Sequence, residues 1–159
     1  MYKHILFPTD GSAGSEAAIA HVRELAEAFD ATVHVLHVVD TRQAHLGIGS
    51  NYLTGVKSYT GDRPSEEERR RAVEERAQPY VEELADDLEG IETVPVARQG
   101  NPHEEILAYI DENDIDLVVM GTEGHTGVER YLLGSVSEKV VRLADAPVVT
   151  VRADEVDDE

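Results

Sequence analysis

Five short stretches that read as strands alternate with stretches of helical spacing, and this constrains the fold more than any other feature. The runs are 3–9, 32–39, 92–98, 115–120 and 147–152. In the second, Val33, Val35, Leu36, Val38 and Val39 leave little room for polar residues. A strand with one wet face alternates apolar with polar; a strand covered on both faces does not. Strands of this kind interleaved with helices predict an α/β domain, a sheet with right-handed crossovers and helices on both sides. At 159 residues the chain suits one domain with a substantial core.

Each connecting segment carries its own signals. Between Ala17 and Phe29, apolar residues fall at 18, 19, 22, 25, 26 and 29, the period of a helix. Ser12 or Ser15 is the expected cap. Ser65-Glu66-Glu67-Glu68 is a capping box that starts a charged helix to about Leu88, with Glu66/Arg70 and Glu67/Arg71 as i,i+4 pairs. Pro79 inside it predicts a kink or a break. Asn101-Pro102-His103-Glu104 supplies a cap, a proline at the first position and an N3 glutamate for a helix to near Glu112. The last helix is expected at 135–144. Residues 40–64 show no period and contain four glycines and Pro64, a long connection of the kind that is often functional or disordered. The expected domain is 1–152, followed by an acidic tail at 153–159.

The charge narrows the function. There are 33 acids against 14 bases, a net charge of −19, and the lysines are Lys3, Lys57 and Lys139. Such a surface repels nucleic acid and anionic membranes. It also suits high salt, where a Debye length of about 3 Å at 1 M screens self-repulsion. Without cysteine there is no disulfide framework or thiolate metal site. No apolar run reaches the roughly 18 residues of a membrane helix, and Pro8-Thr9-Asp10 interrupts any signal-peptide core. The expected location is the cytoplasm.

The fourth run, Asp116-Leu117-Val118-Val119-Met120, leads directly into Gly121-Thr122-Glu123-Gly124. Gly134-Ser135 follows at the start of a helical segment. Strand, glycine loop and small-residue helix start together make an anion site. Glycines allow close backbone approach, and a helix N-terminus offers free N–H groups and a favourable dipole. The spacing is neither the dinucleotide fingerprint nor the P-loop. Gly124 and its neighbours would wrap phosphates, Gly134, Ser135 and Val136 would offer backbone donors, and the Ser135 and Ser137 hydroxyls would bond phosphate or help hold a metal.

The pattern Gly-x2-Gly-x9-Gly-Ser resembles the ATP-binding signature of universal stress proteins. Ile5-Leu6-Phe7-Pro8-Thr9-Asp10-Gly11-Ser12 is similar to that family's first strand and adenosine-contacting turn. Val35-Leu36-His37-Val38-Val39 and Pro147-Val148-Val149-Thr150-Val151 match its second and last strands. The resemblance covers about residues 2–152. It implies a three-layer, Rossmann-like adenine-nucleotide fold: one five-stranded parallel sheet of order 3-2-1-4-5, with about four helices. It implies ATP, or ADP or AMP, as ligand, with Mg or Mn on the phosphates. The implied site residues are Pro8, Thr9, Asp10, Val38, Met120, Gly121, Gly124, His125, Gly134, Ser135, Val136 and Ser137. Asp10 would meet ribose or adenine, and Val38 would meet adenine through its backbone. The chain would act as a homodimer paired through strand five. Glu123 and His125 depart from the commoner family pattern, which has a neutral or basic residue and an arginine there; Arg130 is a candidate for part of that charge.

Other readings have less support. His34 and His37 are three apart on a strand and so face opposite sides, and the seven histidines form no metal constellation. There is no Gly-x-Ser-x-Gly elbow and no evident base for hydrolysis, so no enzymatic activity is assigned. A phosphoacceptor domain would need an aspartate after strand three and a lysine after strand five. Ala97-Arg98-Gln99-Gly100 and Arg152-Ala153-Asp154 stand there instead. A flavin carrier would need a Ser/Thr-rich first loop and flanking aromatics. The remaining alternative is a dimeric scaffold whose glycines serve only turns.

Overall fold

The computed structural model describes residues 1–10, 13–40, 65–122 and 134–152. The strands are β1 (His4–Pro8), β2 (Thr32–Asp40), β3 (Thr93–Gly100), β4 (Leu117–Gly121) and β5 (Val148–Val151). The helices are α1 (Ala13–Phe29), α2 (Glu66–Ala85), α3 (Pro102–Glu112) and α4 (Ser135–Leu143); a short 3-10 turn at Asp86–Leu88 follows α2. All strand pairings are parallel and the order is β3-β2-β1-β4-β5, as the sequence reading expects.

Strand period and double-sided burial explain the sequence pattern. Ile5 and Phe7 point to one face, where they pack with Val22 of α1 and with Val73, Ala77 and Val81 of α2. Leu6 points to the other, among Ile106, Tyr109 and Ile110 of α3 and Val140 of α4. Each such fully buried large side chain contributes roughly 1.5–3 kcal/mol. His34 follows the same rule: its Nδ1 lies 2.7 Å from the Tyr109 hydroxyl on the α3 face. The His37 ring packs on Tyr80 of α2 across the sheet.

Three local expectations are corrected. Helix α1 begins at Ala13, a turn early, so Ser15 lies inside its first turn and does not cap it; Ser12 is outside the described residues. Helix α2 has the expected capping box between Ser65 and Glu68, but it neither breaks nor ends at Pro79. Its buried residues, Val73, Ala77, Val81 and Ala85, recur every four positions on one stripe, and Pro79 lies on the exposed side with Glu75. Water can serve the Glu75 carbonyl that loses its i+4 donor, while packing holds the stripe in place. Asn101 stands at the cap position of α3 and its carbonyl accepts the first helical bond from Glu105 N, but its side chain makes no capping bond.

The sheet has two unlike edges. Along β3, Gln78 of α2 donates to the Pro95 carbonyl at 2.9 Å and accepts from Ala97 N at 3.2 Å. Glu74 accepts from Gln99 N at 3.0 Å. Helix side chains thus replace a neighbouring strand, and Pro95 removes one further donor. Among the described residues, no side chain does this for β5. The 40–64 connection, apart from Asp40, and the 153–159 tail lie outside the described residues.

Candidate functional site

β1 and β4 are neighbours, so the residues after their carboxyl ends lie side by side. In an open parallel sheet this is where a ligand crevice forms, because the connections leave to opposite faces there. Helix α1 follows β1 onto one face, and α4 follows β4 onto the other.

The β1 corner is held by protein. Thr9 N donates to the Leu36 carbonyl at 2.9 Å, and the His37 ring nitrogen Nδ1 lies 3.0 Å from the Thr9 carbonyl. Ser15 Oγ donates to Asp10 Oδ1 at 3.0 Å, and Asp10 N donates to the same hydroxyl at 3.2 Å. The Tyr80 hydroxyl donates to the Asp10 carbonyl at 3.3 Å. Asp10, half-buried, is therefore a positioned carboxylate with one oxygen on Ser15.

The β4 corner is built from backbone. Thr122 N donates to the Val151 carbonyl at 3.0 Å, and Gly134 N donates to the Thr122 carbonyl at 2.7 Å. This pair of bonds fixes the start of α4 against the end of β4. Gly134 is the cap residue of α4, in extended conformation. A Cβ at Gly134 would lie 3.0 Å from the Thr122 carbonyl oxygen, closer than side chains normally sit. The glycine is thus required by approach, not by a positive φ. Ser137 Oγ donates to the Gly121 carbonyl at 2.8 Å, so this hydroxyl ties α4 to β4, whereas Ser135 is exposed in the first turn. Thr122 Oγ1 is buried and has no hydrogen-bond partner among the described residues. Such a hydroxyl costs roughly 1–3 kcal/mol.

The expected residues fall as follows. Pro8, Thr9 and Asp10 come together with Met120 and Gly121 at the two strand ends. Gly134, Ser135, Val136 and Ser137 form the cap and first turn of α4 beside them. Val38 is half-buried near the end of β2, two residues past the last β1 pairing, Pro8 with Leu36. Gly124 and His125 lie outside the described residues, as do Glu123 and Arg130. Sequence reasoning missed Ser15, Tyr80, His37 and Thr122. An Asp-x4-Ser pair and a distant tyrosine carry no local signal; Thr122 was visible only as a loop residue between glycines.

One feature fits a phosphate-bearing ligand at the β4 corner: a buried hydroxyl lacking a partner among the described residues; the close approach at Gly134 is to the protein's own Thr122 carbonyl. No group of three or more metal-ligating side chains occurs among the described residues. A metal here would rest chiefly on the ligand's own oxygens. No described helix is long and apolar enough to cross a membrane.

Away from this edge, His4, His34 and Tyr109 form a polar chain. His4 Nδ1 and His34 Nε2 are 3.1 Å apart. Burial, with the neighbouring His4 ring, holds His34 below its ordinary value of 6.5. Burial also pushes the Tyr109 hydroxyl up. Bonds from the Lys3 and His4 amides hold Asp116 down. These groups join β1, β2, α3 and the start of β4, and they lie at the opposite end of the strands from the crevice.

Comparison with known proteins agrees with the fold. The model of the universal stress protein family matches residues 1–152. Universal stress protein MJ0577 of Methanocaldococcus jannaschii is 33% identical over 155 residues, 96% of each chain. The solved structure of that protein superposes with a TM-score of 0.73 at 31% identity, covering 95% of this chain and 96% of the other. A universal stress protein from Archaeoglobus fulgidus, solved in complex with dAMP, shares the fold with a TM-score of 0.56 at 19% identity, covering 95% and 98%.

Proposed function

This chain belongs to the universal stress protein family, and on that ground we propose that it is a cytoplasmic, adenine-nucleotide-binding regulator of the stress response that works as a homodimer. The observation that carries the reading is the meeting of the Asp10 corner with the Gly134-Ser135 helix start at the ends of neighbouring strands. The adenosine moiety lies against Pro8, Thr9, Asp10, Val38 and Met120. The phosphates lie on the backbone of Gly121, Gly124, His125, Ser135, Val136 and Ser137, beside Gly134, whose own amide is spent on the Thr122 carbonyl. Free amides and the α4 dipole favour their charge. The dAMP complex of the A. fulgidus relative supports a nucleotide in this fold.

Mg or Mn accompanies a triphosphate. It needs few protein ligands when phosphate oxygens and water complete its shell. That matters in a chain of net charge −19, where a polyanion is otherwise repelled. Ligand binding shifts the balance of conformations at this edge or at the subunit contact.

The dimer pairs through β5. Its outward edge has no covering side chain among the described residues, in contrast to β3. Val141 and Leu143 of α4, which packs beside β5, are exposed apolar residues. An open strand edge next to apolar surface needs covering. Titration calorimetry with ATP and Mg²⁺, on protein whose mass in solution has been measured, tests both parts. A dimer that gives no heat with any adenine nucleotide would favour a ligand-independent scaffold.

A further inference from the structure

At the amino ends of β1 and β2, far from the crevice, two histidine rings meet. His4 Nδ1 and His34 Nε2 face each other at 3.1 Å. The other ring nitrogen of His34, Nδ1, lies 2.7 Å from the Tyr109 hydroxyl of α3. His34 and Tyr109 are buried, whereas His4 is half-buried. Three polar groups thus link the partly exposed start of β1, through β2, to a helix on the α3 face of the sheet.

The contact between the two rings has room for one hydrogen. A neutral imidazole carries one N–H donor and one acceptor nitrogen, while an imidazolium carries donors at both. With both rings neutral, or with one proton added to the pair, one facing nitrogen donates and the other accepts. A second added proton puts a hydrogen on each facing nitrogen and two like charges side by side. A 3.1 Å contact cannot hold that arrangement, so the rings must part. His34 has no path to water, because it is buried between the sheet and α3. Its movement therefore passes to α3 through Tyr109.

The surrounding charges decide which ring is charged first. The Asp116 carboxylate, just ahead of β4, accepts from the Lys3 and His4 amides at 2.9 and 3.0 Å, and the amino-terminal charge acts on it as well. The first proton therefore settles on His4, beside a carboxylate. On the α3 side, the Arg98 guanidinium of β3 lies 4.9 Å from the Tyr109 ring centre. It is matched by Glu112 at 2.9 Å and Glu105 at 3.6 Å. Among the described residues no carboxylate pairs with His34; burial and the His4 ring both disfavour its charge. We propose that His4, His34 and Tyr109 form an acid-sensitive latch: the two rings stay joined with one added proton, and the second proton opens them and releases α3 from the amino end of the sheet. The latch does not depend on the nucleotide reading.

NMR of the histidine rings and amide hydrogen exchange, followed on the full chain from about pH 8 to about pH 4, test the latch. In native protein the His34 ring signals are expected to shift in two steps, at least about one pH unit apart, as in a coupled pair. Exchange at residues 106–110 of α3, corrected for its intrinsic pH dependence, should rise about tenfold across the second step alone, the equivalent of that one unit. His4→Gln supplies an amide oxygen that can accept from a charged His34. In that variant His34 should titrate in one step, with no rise in exchange at α3. Tyr109→Phe should keep both steps and lose the rise that accompanies the second. A single His34 step in native protein, or α3 exchange unchanged across the second step, overturns the proposal. So does a rise that persists in either variant, which would mark ordinary acid unfolding.

Discussion

The two corners of the crevice are built on opposite terms. At the end of β1, Asp10 is held by Ser15 and Tyr80, and the Thr9 carbonyl meets the His37 ring. At the end of β4, backbone bonds fix Gly134 to Thr122, and a buried hydroxyl is left without a partner. Among the described residues, the polar groups of the first corner are partnered, while the second leaves the Thr122 hydroxyl without a partner. A rigid wall that presents one carboxylate suits the neutral, shape-defined adenosine part of a nucleotide. A wall of amides and an unspent hydroxyl suits the charged part, whose oxygens supply the missing acceptors.

That contrast can be broken most strongly at Gly134. A valine there places its Cβ 3.0 Å from the Thr122 carbonyl oxygen and pushes the start of α4 off β4. Nucleotide affinity by calorimetry is expected to fall by about 100-fold or more, roughly the equivalent of two lost phosphate contacts. Far-UV circular dichroism should stay unchanged. Native affinity in this variant would remove the β4 corner from the site.

Next in size come two edits that should differ in sign. Ser15→Ala removes the partner of Asp10 Oδ1 and is expected to cost about 1–2 kcal/mol in denaturant unfolding, with weaker adenosine binding. Thr122→Val replaces the unpartnered hydroxyl with a methyl group of similar shape. It is expected to stabilise the ligand-free protein by up to about 1 kcal/mol. If both variants destabilise the free protein, the two corners are not built differently.

The smallest effect lies at the far end of the strands. His34 is held neutral below its ordinary value of 6.5. The unfolded chain therefore takes up a proton first as pH falls. The stability contributed by neutral His34 is present above about 6.5 and is lost as pH falls through the lowered folded value. Asp116 is also held low, and its contribution goes only at more acid pH, below the ordinary 3.8. Denaturant midpoints should decline from pH 7 to pH 5 in native protein and decline less in His34→Gln. Nucleotide affinity per folded molecule should not follow this change, because His34 is remote from both corners.

Element positions were legible because strands buried on both faces write themselves as apolar runs, while the sheet order rested on the family resemblance. Ile5, Leu6 and Phe7 are all apolar because they serve two cores. The glycine pattern was legible because it is local: Gly134 is needed within bond distance of Thr122, and both lie in one loop-to-helix segment. Long-range contacts left no such mark. Nothing near Pro79 shows that the stripe Val73-Ala77-Val81-Ala85 will carry α2 through it. Nothing in Gln78 or Glu74 shows that they will seal the edge of β3. Ser15 read as a cap from its place just ahead of the periodic run that starts at Ala17; the structure puts its hydroxyl on the Asp10 carboxylate.

The β4 corner's incompleteness is the centre of the account, and direct titration of the native dimer candidate with ATP and Mg²⁺ tests it most plainly. The expected result is saturable binding of one nucleotide per chain, lost in Gly134→Val. Flat heats from low to high salt, with no nucleotide found by mass spectrometry in protein purified without denaturation, would contradict it.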